Sequence, residues 1–391
     1  MRMAKISFMS STSPYHVYIH APWCKSKCPY CDFTVYVDRN PPFAEWQNKV
    51  IKDWQYTMQN SEWNPLGPDT IYFGGGTPSL VSTGILATLI DTIRTPQTTE
   101  VTVEVNPGDV TFEGLEILRS IGVTRLSLGI QTFNRKHLRR LGRGNTPKDC
   151  MQLLKWVDRV GFDSWSMDLM FGLPDQTLNE LNEDITRILQ IHPPHVSLYG
   201  LTYKEGTPLH KALTSGKLSP INEDIWIEQF KDIASRLENA GYIRYEVSNF
   251  CNPPHQAKHN EGIWKNEHYV GLGPGAHGFW TNGTRTQYPT RWNDWLQSTM
   301  PLIETCSPEQ RALDWMITAI RHRDGIFMPT LKDMGYTLNV PKEIRGIEAF
   351  HSGVEQTLNH VKLSSKGWIL VDWITEVLAD ALTPISKQDA L

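Results

Sequence analysis

Short runs of β-branched and aromatic residues recur along the first two-thirds of the chain, each followed by an amphipathic stretch. The runs are "HVYIHAP" from His16, "TIYFGGG" from Thr70, "EVTVEVNP" from Glu100, "RLSLGIQ" from Arg125, "FDSWSMDLMFG" from Phe162 and "HVSLYGLT" from His195. Among the amphipathic stretches are "GILATLIDTIR", "PKDCMQLLKWVDRVGF", "NELNEDITRILQIHPP" and, after the last run, "NEDIWIEQFKDIASRLENAGY". Strand followed by helix at this spacing predicts βαβ units, whose crossovers make the strands parallel. Six units are fewer than the eight of a closed barrel. The fold class is therefore read as α/β, a partial, open-sided (β/α)6 barrel over about 14–250. An open doubly wound sheet has the same period and stands as the structural alternative.

After residue 250 the pattern breaks. The stretch "FCNPPHQAKHNEGIWKNEHYVGLGPGAHGFW" is rich in Gly, Pro, His and aromatics, so 251–305 is expected to be irregular. "GLGPGAHG" reads as turns, because a nucleotide loop would need a strand before it and a helix after it. From "PEQRALDWMITAIRHRDG" onward helical patterning returns, and 306–391 is expected to be a smaller, mainly helical C-terminal domain.

The 391 residues are 40% apolar and 20% charged, a globular composition. A net charge of −4 gives no basic excess for nucleic acid. The first residues lack an apolar core of signal-peptide length, and no run of about eighteen apolar residues occurs. A cytoplasmic or equivalent reducing location is expected, compatible with peripheral membrane contact.

Six cysteines are present, and three of them cluster: Cys24, Cys28 and Cys31. The other three, Cys150, Cys251 and Cys306, are scattered, which does not resemble a disulfide framework. Thiolates suit zinc, copper or iron–sulfur clusters. With His20 nearby, a Cys3His zinc site is one reading. A cubane cluster on three thiolates is the other, and it leaves one iron open to a further ligand. The cysteines follow the first strand, at the end where a barrel opens its active face.

Other strand ends add chemistry at the same face. Gly74-Gly75-Gly76-Thr77-Pro78 lets a ligand approach the backbone. Along the third run Val101, Val103 and Val105 alternate with Thr102, Glu104 and Asn106, so Glu104 points into the barrel. A buried carboxylate needs a partner there. Gln131 ends the fourth run, Arg143 follows it as a carboxylate-binding group, and Asp168 lies on the fifth.

Cys-x3-Cys-x2-Cys with Tyr30 before the last cysteine resembles the signature of the radical S-adenosylmethionine (SAM) superfamily. The resemblance implies a 4Fe–4S cluster on Cys24, Cys28 and Cys31, with SAM chelated to the free iron and cleaved to a 5′-deoxyadenosyl radical on reduction. It implies cofactor contacts from Tyr18, Tyr30, Gly75, Gly76, Thr77, Glu104, Gln131, Arg143 and Asp168. "YIHAPWCKSKCPYCDF", "GGGTPS", "LGIQTFN", "DLMFGLP" and "YEVSNF" look like the group of oxygen-independent coproporphyrinogen III oxidases. That oxidase has a further cysteine where Phe33 stands, and a long extension before its cluster. Only 23 residues precede Cys24. Both departures resemble the HemW heme chaperones. Their His-Asn-x-x-Tyr-Trp heme motif reads here His259-Asn260-Glu261-Gly262-Ile263-Trp264, with Ile263 in place of Tyr. Cys251, His255 and His277 are weaker candidates.

The resemblance implies heme binding at His259, delivery to an acceptor hemoprotein such as a respiratory one, a reductant for the cluster, and a homodimer. The enzyme alternatives are decarboxylation of coproporphyrinogen propionates, or radical chemistry on another tetrapyrrole.

Overall fold

The computed structural model describes residues 14–60, 66–340 and 353–385. Most of the N-terminal stretch read for a signal segment lies outside the described residues.

All six runs form strands: β1 (Tyr15–Ala21), β2 (Thr70–Gly75), β3 (Glu100–Val105), β4 (Arg125–Gln131), β5 (Ser164–Phe171) and β6 (His195–Gly200). They lie side by side in that order and pair in parallel. Between and after them run α1 (Phe43–Asn60), α2 (Thr83–Ile93), α3 (Phe112–Ser120), α4 (Pro147–Val160), α5 (Leu178–Ile191) and α6 (Glu223–Asn239). Local sequence sets their ends. Thr146 with Asp149 and Thr177 with Glu180 close capping boxes at the starts of α4 and α5. Gly161 adopts the left-handed conformation that ends α4.

Alternation along the strands divides the sheet into two unlike faces. One face carries Val17, Ile19, Ile71, Phe73, Val101, Val103, Leu126, Leu128, Met167, Leu169, Val196 and Leu198, in one buried apolar cluster with Leu86, Leu89, Leu115, Leu153 and Ile185 of the helices. The other face lines the lumen with His16, Tyr18, His20, Thr70, Tyr72, Thr102, Glu104, Arg125, Ser127, Ser166, Asp168, His195 and Ser197. Burial of the first face against helices supplies the hydrophobic driving force. The lumen is polar throughout these positions, unlike the aliphatic filling of a closed barrel.

The region 251–305, expected to be irregular, instead extends the sheet. Beyond β7 (Ile243–Arg244) and β8 (Asn249–Cys251) come β9 (His268–Leu272), β10 (His277–Trp280), β11 (Thr284–Gln287) and β12 (Leu302–Thr305). The strand order is β12-β11-β10-β9-β1-β2-β3-β4-β5-β6-β8-β7. β9 pairs in parallel with β1, and antiparallel strands flank the parallel part on both sides. Close packing explains why the sequence pattern hid β9: a Cβ on Gly271 would stand 1.9 Å from the His277 carbonyl oxygen. Glycine in a strand where another backbone approaches weakens the strand signal. The turns expected in "GLGPGAHG" fall between β9 and β10, where Gly273 and Gly275 have positive φ. The helix α7 (Lys258–Trp264) precedes β9 and packs across the starts of β1 and β2.

The smaller C-terminal part carries helices Pro308–Ile320 and Val371–Asp380 beside short antiparallel strands. No helix among the described residues is long and apolar enough to cross a membrane.

Candidate functional site

β1 runs directly into a two-residue strand, Trp23–Cys24, which pairs in parallel with Tyr36–Val37. The loop between them holds the other two cysteines. The Cys31 amide donates to the Cys28 carbonyl at 3.1 Å, folding the loop into a turn. All three thiols are free and partly exposed. Burial pushes the Cys24 and Cys31 thiols above their ordinary pKa. Tyr30 packs onto a second apolar cluster of Leu141, Met170, Leu173, Leu201 and Leu209.

The end of β2 meets this loop. The Gly76 amide donates to the Ala21 carbonyl at 2.9 Å and the Thr77 amide to the Trp23 carbonyl at 2.8 Å. A Cβ on Gly76 would lie 2.7 Å from Pro22 backbone carbon, so no larger residue fits without moving the chain. Gly75, at φ +108°, faces the His20 ring. Thr77 Oγ1 donates to Cys24 Sγ at 3.4 Å and accepts from Asn106 Nδ2 at 3.3 Å.

Asn106 Oδ1 in turn accepts from Arg143, whose Nη2 also donates to the Gly129 carbonyl at 2.8 Å. Burial works against the charge on Arg143, but neighbouring Tyr30 and Cys28 raise its pKa and keep it a cation. Gln131 ends β4 with a positive φ of 65°, at a break in the β4–β5 register. Its Nε2, Asn106 Oδ1 and Arg143 Nη2 all lie within 3.2 Å of where a Cβ on Gly129 would stand. Gly129 thus keeps open the place where these three side chains meet.

Glu104 points into the lumen as the alternation required, and its partners are hydrogen-bond donors. Tyr72 OH donates to one oxygen at 2.9 Å and the Gly75 amide to the other at 3.2 Å. Burial outweighs these donors and pushes the Glu104 carboxyl up to about 7. Asp168 accepts from Ser127 Oγ at 3.0 Å, and burial lifts it to about 6. Tyr18 stacks on Tyr72 at 6.0 Å between ring centroids and bonds His20 Nδ1 at 3.0 Å.

The other nitrogen of His20 is engaged by the Thr34 carbonyl at 2.7 Å. Both ring nitrogens are thus in use, which leaves none for a Cys3His zinc site. Among the described residues no three His, Cys, Asp or Glu side chains converge on a point suited to a single metal ion. The irons of a cubane sit at separate corners, so its thiolates do not share one point. The three-thiol set, the tight glycines and the polar ring beside them fit a cluster with a ligand next to it.

His259 lies elsewhere. It is 5% exposed on α7, with Nδ1 bonded to Thr70 Oγ1 at 2.8 Å and its ring 5.0 Å from that of Tyr72. Its amide and that of Lys258 donate to Glu100. Its hydrogen bond is to Thr70 at the start of β2, but the Tyr72 ring it meets also reaches the turn, 2.8 Å from where a Cβ on Gly74 would stand. Burial, with His16 and Arg125 nearby, holds the imidazole well below its ordinary pKa. Of the weaker candidates, Cys251 is buried on β8, His255 meets Ser164 Oγ at 3.2 Å, and His277 is exposed on β10. None joins the cysteines. Asn106, which ties Thr77 to Arg143, was not singled out in the sequence, although the alternation that turned Glu104 inward applies to it as well.

Residues 18–188 match the Radical SAM superfamily. The heme chaperone HemW of Bacillus subtilis is 37% identical over 274 residues, 69% of this chain and 72% of that protein. The Escherichia coli HemW is 34% identical over 275 residues, 69% and 71% of the two chains.

The chain belongs to the HemW family of radical SAM proteins.

A third HemW relative, from Synechocystis, is 30% identical over 345 residues, 83% of this chain and 82% of that protein. Coproporphyrinogen III oxidase (HemN) from Escherichia coli shares the fold. Its solved structure has a TM-score of 0.80 at 17% identity and covers 95% of this chain and 91% of that one. The HemW family membership and the HemN-like fold agree with the open α/β barrel described above.

Proposed function

We propose that the protein is a heme chaperone of the HemW type, holding a 4Fe–4S cluster, SAM and heme and passing heme to an acceptor hemoprotein. The observation that carries this reading is the meeting of three free thiols with the Gly75–Thr77 turn, Glu104 and Arg143 at the ends of β1 to β4, in a chain of the HemW family. Cys24, Cys28 and Cys31 would hold the cluster. Its open iron, with SAM, supplies one-electron chemistry when bound.

This chain's own residues bind and orient. The Gly75 and Gly76 backbone and the Glu104 carboxylate suit an ammonium group, and Arg143 suits a carboxylate. Gln131 and Asp168 present groups for hydroxyls and amides. Tyr18 and Tyr30 wall the site. His259 enters as a neutral imidazole, the state that ligates heme iron. Access to it requires α7 to shift, since the ring is buried and Nδ1 is engaged. The same reading places the protein in the cytoplasm, with an external reductant, as a homodimer, and with Phe33 where the oxidase has its extra cysteine.

Anaerobic reconstitution followed by absorption and paramagnetic spectroscopy, with and without SAM and heme, tests this reading. Expected are iron–sulfur absorption, a SAM-induced change in the reduced cluster, and saturable heme binding. Zinc as the sole metal bound would refute the cluster. Formation of protoporphyrinogen from coproporphyrinogen would replace chaperone with oxidase. Heme titration of His259→Ala decides the role of that residue: unchanged affinity removes it from the site.

A further inference from the structure

Three buried atoms on the lumen face, Arg125 Nε, Thr102 Oγ1 and His195 Nδ1, have no hydrogen-bond partner among the described residues. Arg125, at the start of β4, is 3% exposed, and its Nε has no acceptor. No hydrogen bond or ion pair of its guanidinium is found among the described residues. Its charge acts on Tyr72, Glu104, Asp168, His195 and His259, which sets the guanidinium within the lumen. Thr102, its register partner on β3, is fully buried with Oγ1 unpaired.

His195 on β6 is the third. Its Nε2 meets Tyr245 OH at 2.8 Å, and that hydroxyl already accepts from the Ala257 amide at 3.2 Å. We assign the tyrosine proton to Nε2, the arrangement that puts the ring proton on Nδ1. Nδ1 is buried and unpaired. Burial, with Arg125 nearby, holds this imidazole neutral. A guanidinium, a hydroxyl and a ring N–H then line the lumen with no acceptor among the described residues. Dry, unpaired donors are costly, and native structures pair them.

We infer that the lumen holds a carboxylate-binding subsite built on Arg125, with Thr102 and His195 as neutral donors beside it. A carboxylate matches the planar fork of a guanidinium. A phosphate brings more charge than one guanidinium offsets, with Glu104 and Asp168 in the same lumen. The choice of carboxylate rests on the heme reading, which supplies a tetrapyrrole propionate; the subsite itself rests on the orphaned donors. The rival occupant is water, with Arg125 serving only to balance Glu104 and Asp168.

The test titrates reconstituted full-length protein with heme and with heme dimethyl ester, which lacks the free carboxylates. Wild type, Arg125→Gln and the near-isosteric Thr102→Val are compared, with cluster absorption as the check on folding. Propionate alone is followed by ligand-observed NMR. Expected is about a tenfold or greater preference of wild type for heme over its ester. Arg125→Gln erases that preference, Thr102→Val reduces it severalfold, and propionate binding is saturable and depends on Arg125. Equal binding of heme and ester together with no propionate signal overturns the subsite. Should Arg125→Gln not fold, Thr102→Val and the wild-type propionate titration decide. Propionate bound through Arg125 by a protein that takes up no heme would keep the subsite and reject the heme reading. Heme bound without dependence on Arg125 or Thr102 would do the reverse.

Discussion

Thr77 donates its hydroxyl proton to Cys24 Sγ across 3.4 Å, linking the glycine-rich turn after β2 to the first cysteine. Hydrogen bonds to ligand sulfur stabilise the more negative, reduced state of an iron–sulfur cluster and raise its potential. Thr77→Val keeps the shape and removes the bond. The expected outcome is a lower reduction potential with cluster content retained, read by an EPR-monitored redox titration. An unchanged potential would show that the thiolate does not feel this hydroxyl.

The six cysteines should divide cleanly. Alanine at Cys24, Cys28 or Cys31 is expected to abolish iron–sulfur absorption after reconstitution. Serine at Cys150, Cys251 or Cys306, all buried and outside that loop, should leave iron and sulfide content within about a fifth of wild type, apart from any loss of stability in the core of about 1–2 kcal/mol. Iron analysis of the six variants checks both halves.

Gly129 offers a sharper probe of the cofactor contacts than removal of any one of them. An added methyl would stand 2.5 Å from Asn106 Oδ1 and 3.0 Å from Arg143 Nη2. Its backbone does not have positive φ, so the strand tolerates alanine. Gly129→Ala is expected to keep the cluster while weakening SAM binding by about tenfold or more, the equivalent of roughly 1.4 kcal/mol. Equilibrium dialysis against SAM measures it, and wild-type affinity would exclude Asn106, Gln131 and Arg143 from the contact set.

Glu104 makes a prediction about pH. Its ordinary value of 4.5 is raised to about 7 in the folded protein. Between those values the folded state retains a proton that the unfolded chain has released. Its contribution to stability is therefore full on the acid side and declines as pH rises from about 4.5 through 7. Glu104→Gln does not titrate, although it leaves one of the two donors, Tyr72 OH or the Gly75 amide, without an oxygen acceptor. Without SAM the variant should show a flatter pH dependence and be more stable at pH 8 by on the order of 1 kcal/mol. Thermal melts at pH 5.5 and 8 test this, and parallel slopes for the two proteins would contradict it.

The parallel strands were legible because each outward face is apolar and each inward face polar, as Val101, Val103 and Val105 against Thr102 and Glu104 display. The cysteine spacing and the inward turn of Glu104 were legible for the same local reasons. β9 and β10 were not, since Gly271 answers to the His277 backbone and Gly278 to the Thr286 side chain, neighbours that no one-dimensional pattern contains. Nor could the chain order reveal that His259 is sealed by Thr70, Tyr72 and Glu100, which belong to strands more than 150 residues earlier. Gly262 belongs with these: a Cβ there would meet His16 Nε2 at 2.0 Å, so helix α7 and the first strand fit only through a glycine.

Because cohesion resides on the side of the strands turned toward the helices, the hollow side is released from that duty. Its residues answer to one another instead, through bonds such as those of Tyr72 to Glu104 and Ser127 to Asp168, so an exchange there is tolerated where the buried partners stay paired. A scaffold partitioned in this way lets selection retune what the cavity accepts, one inward position at a time, while the wall itself stands.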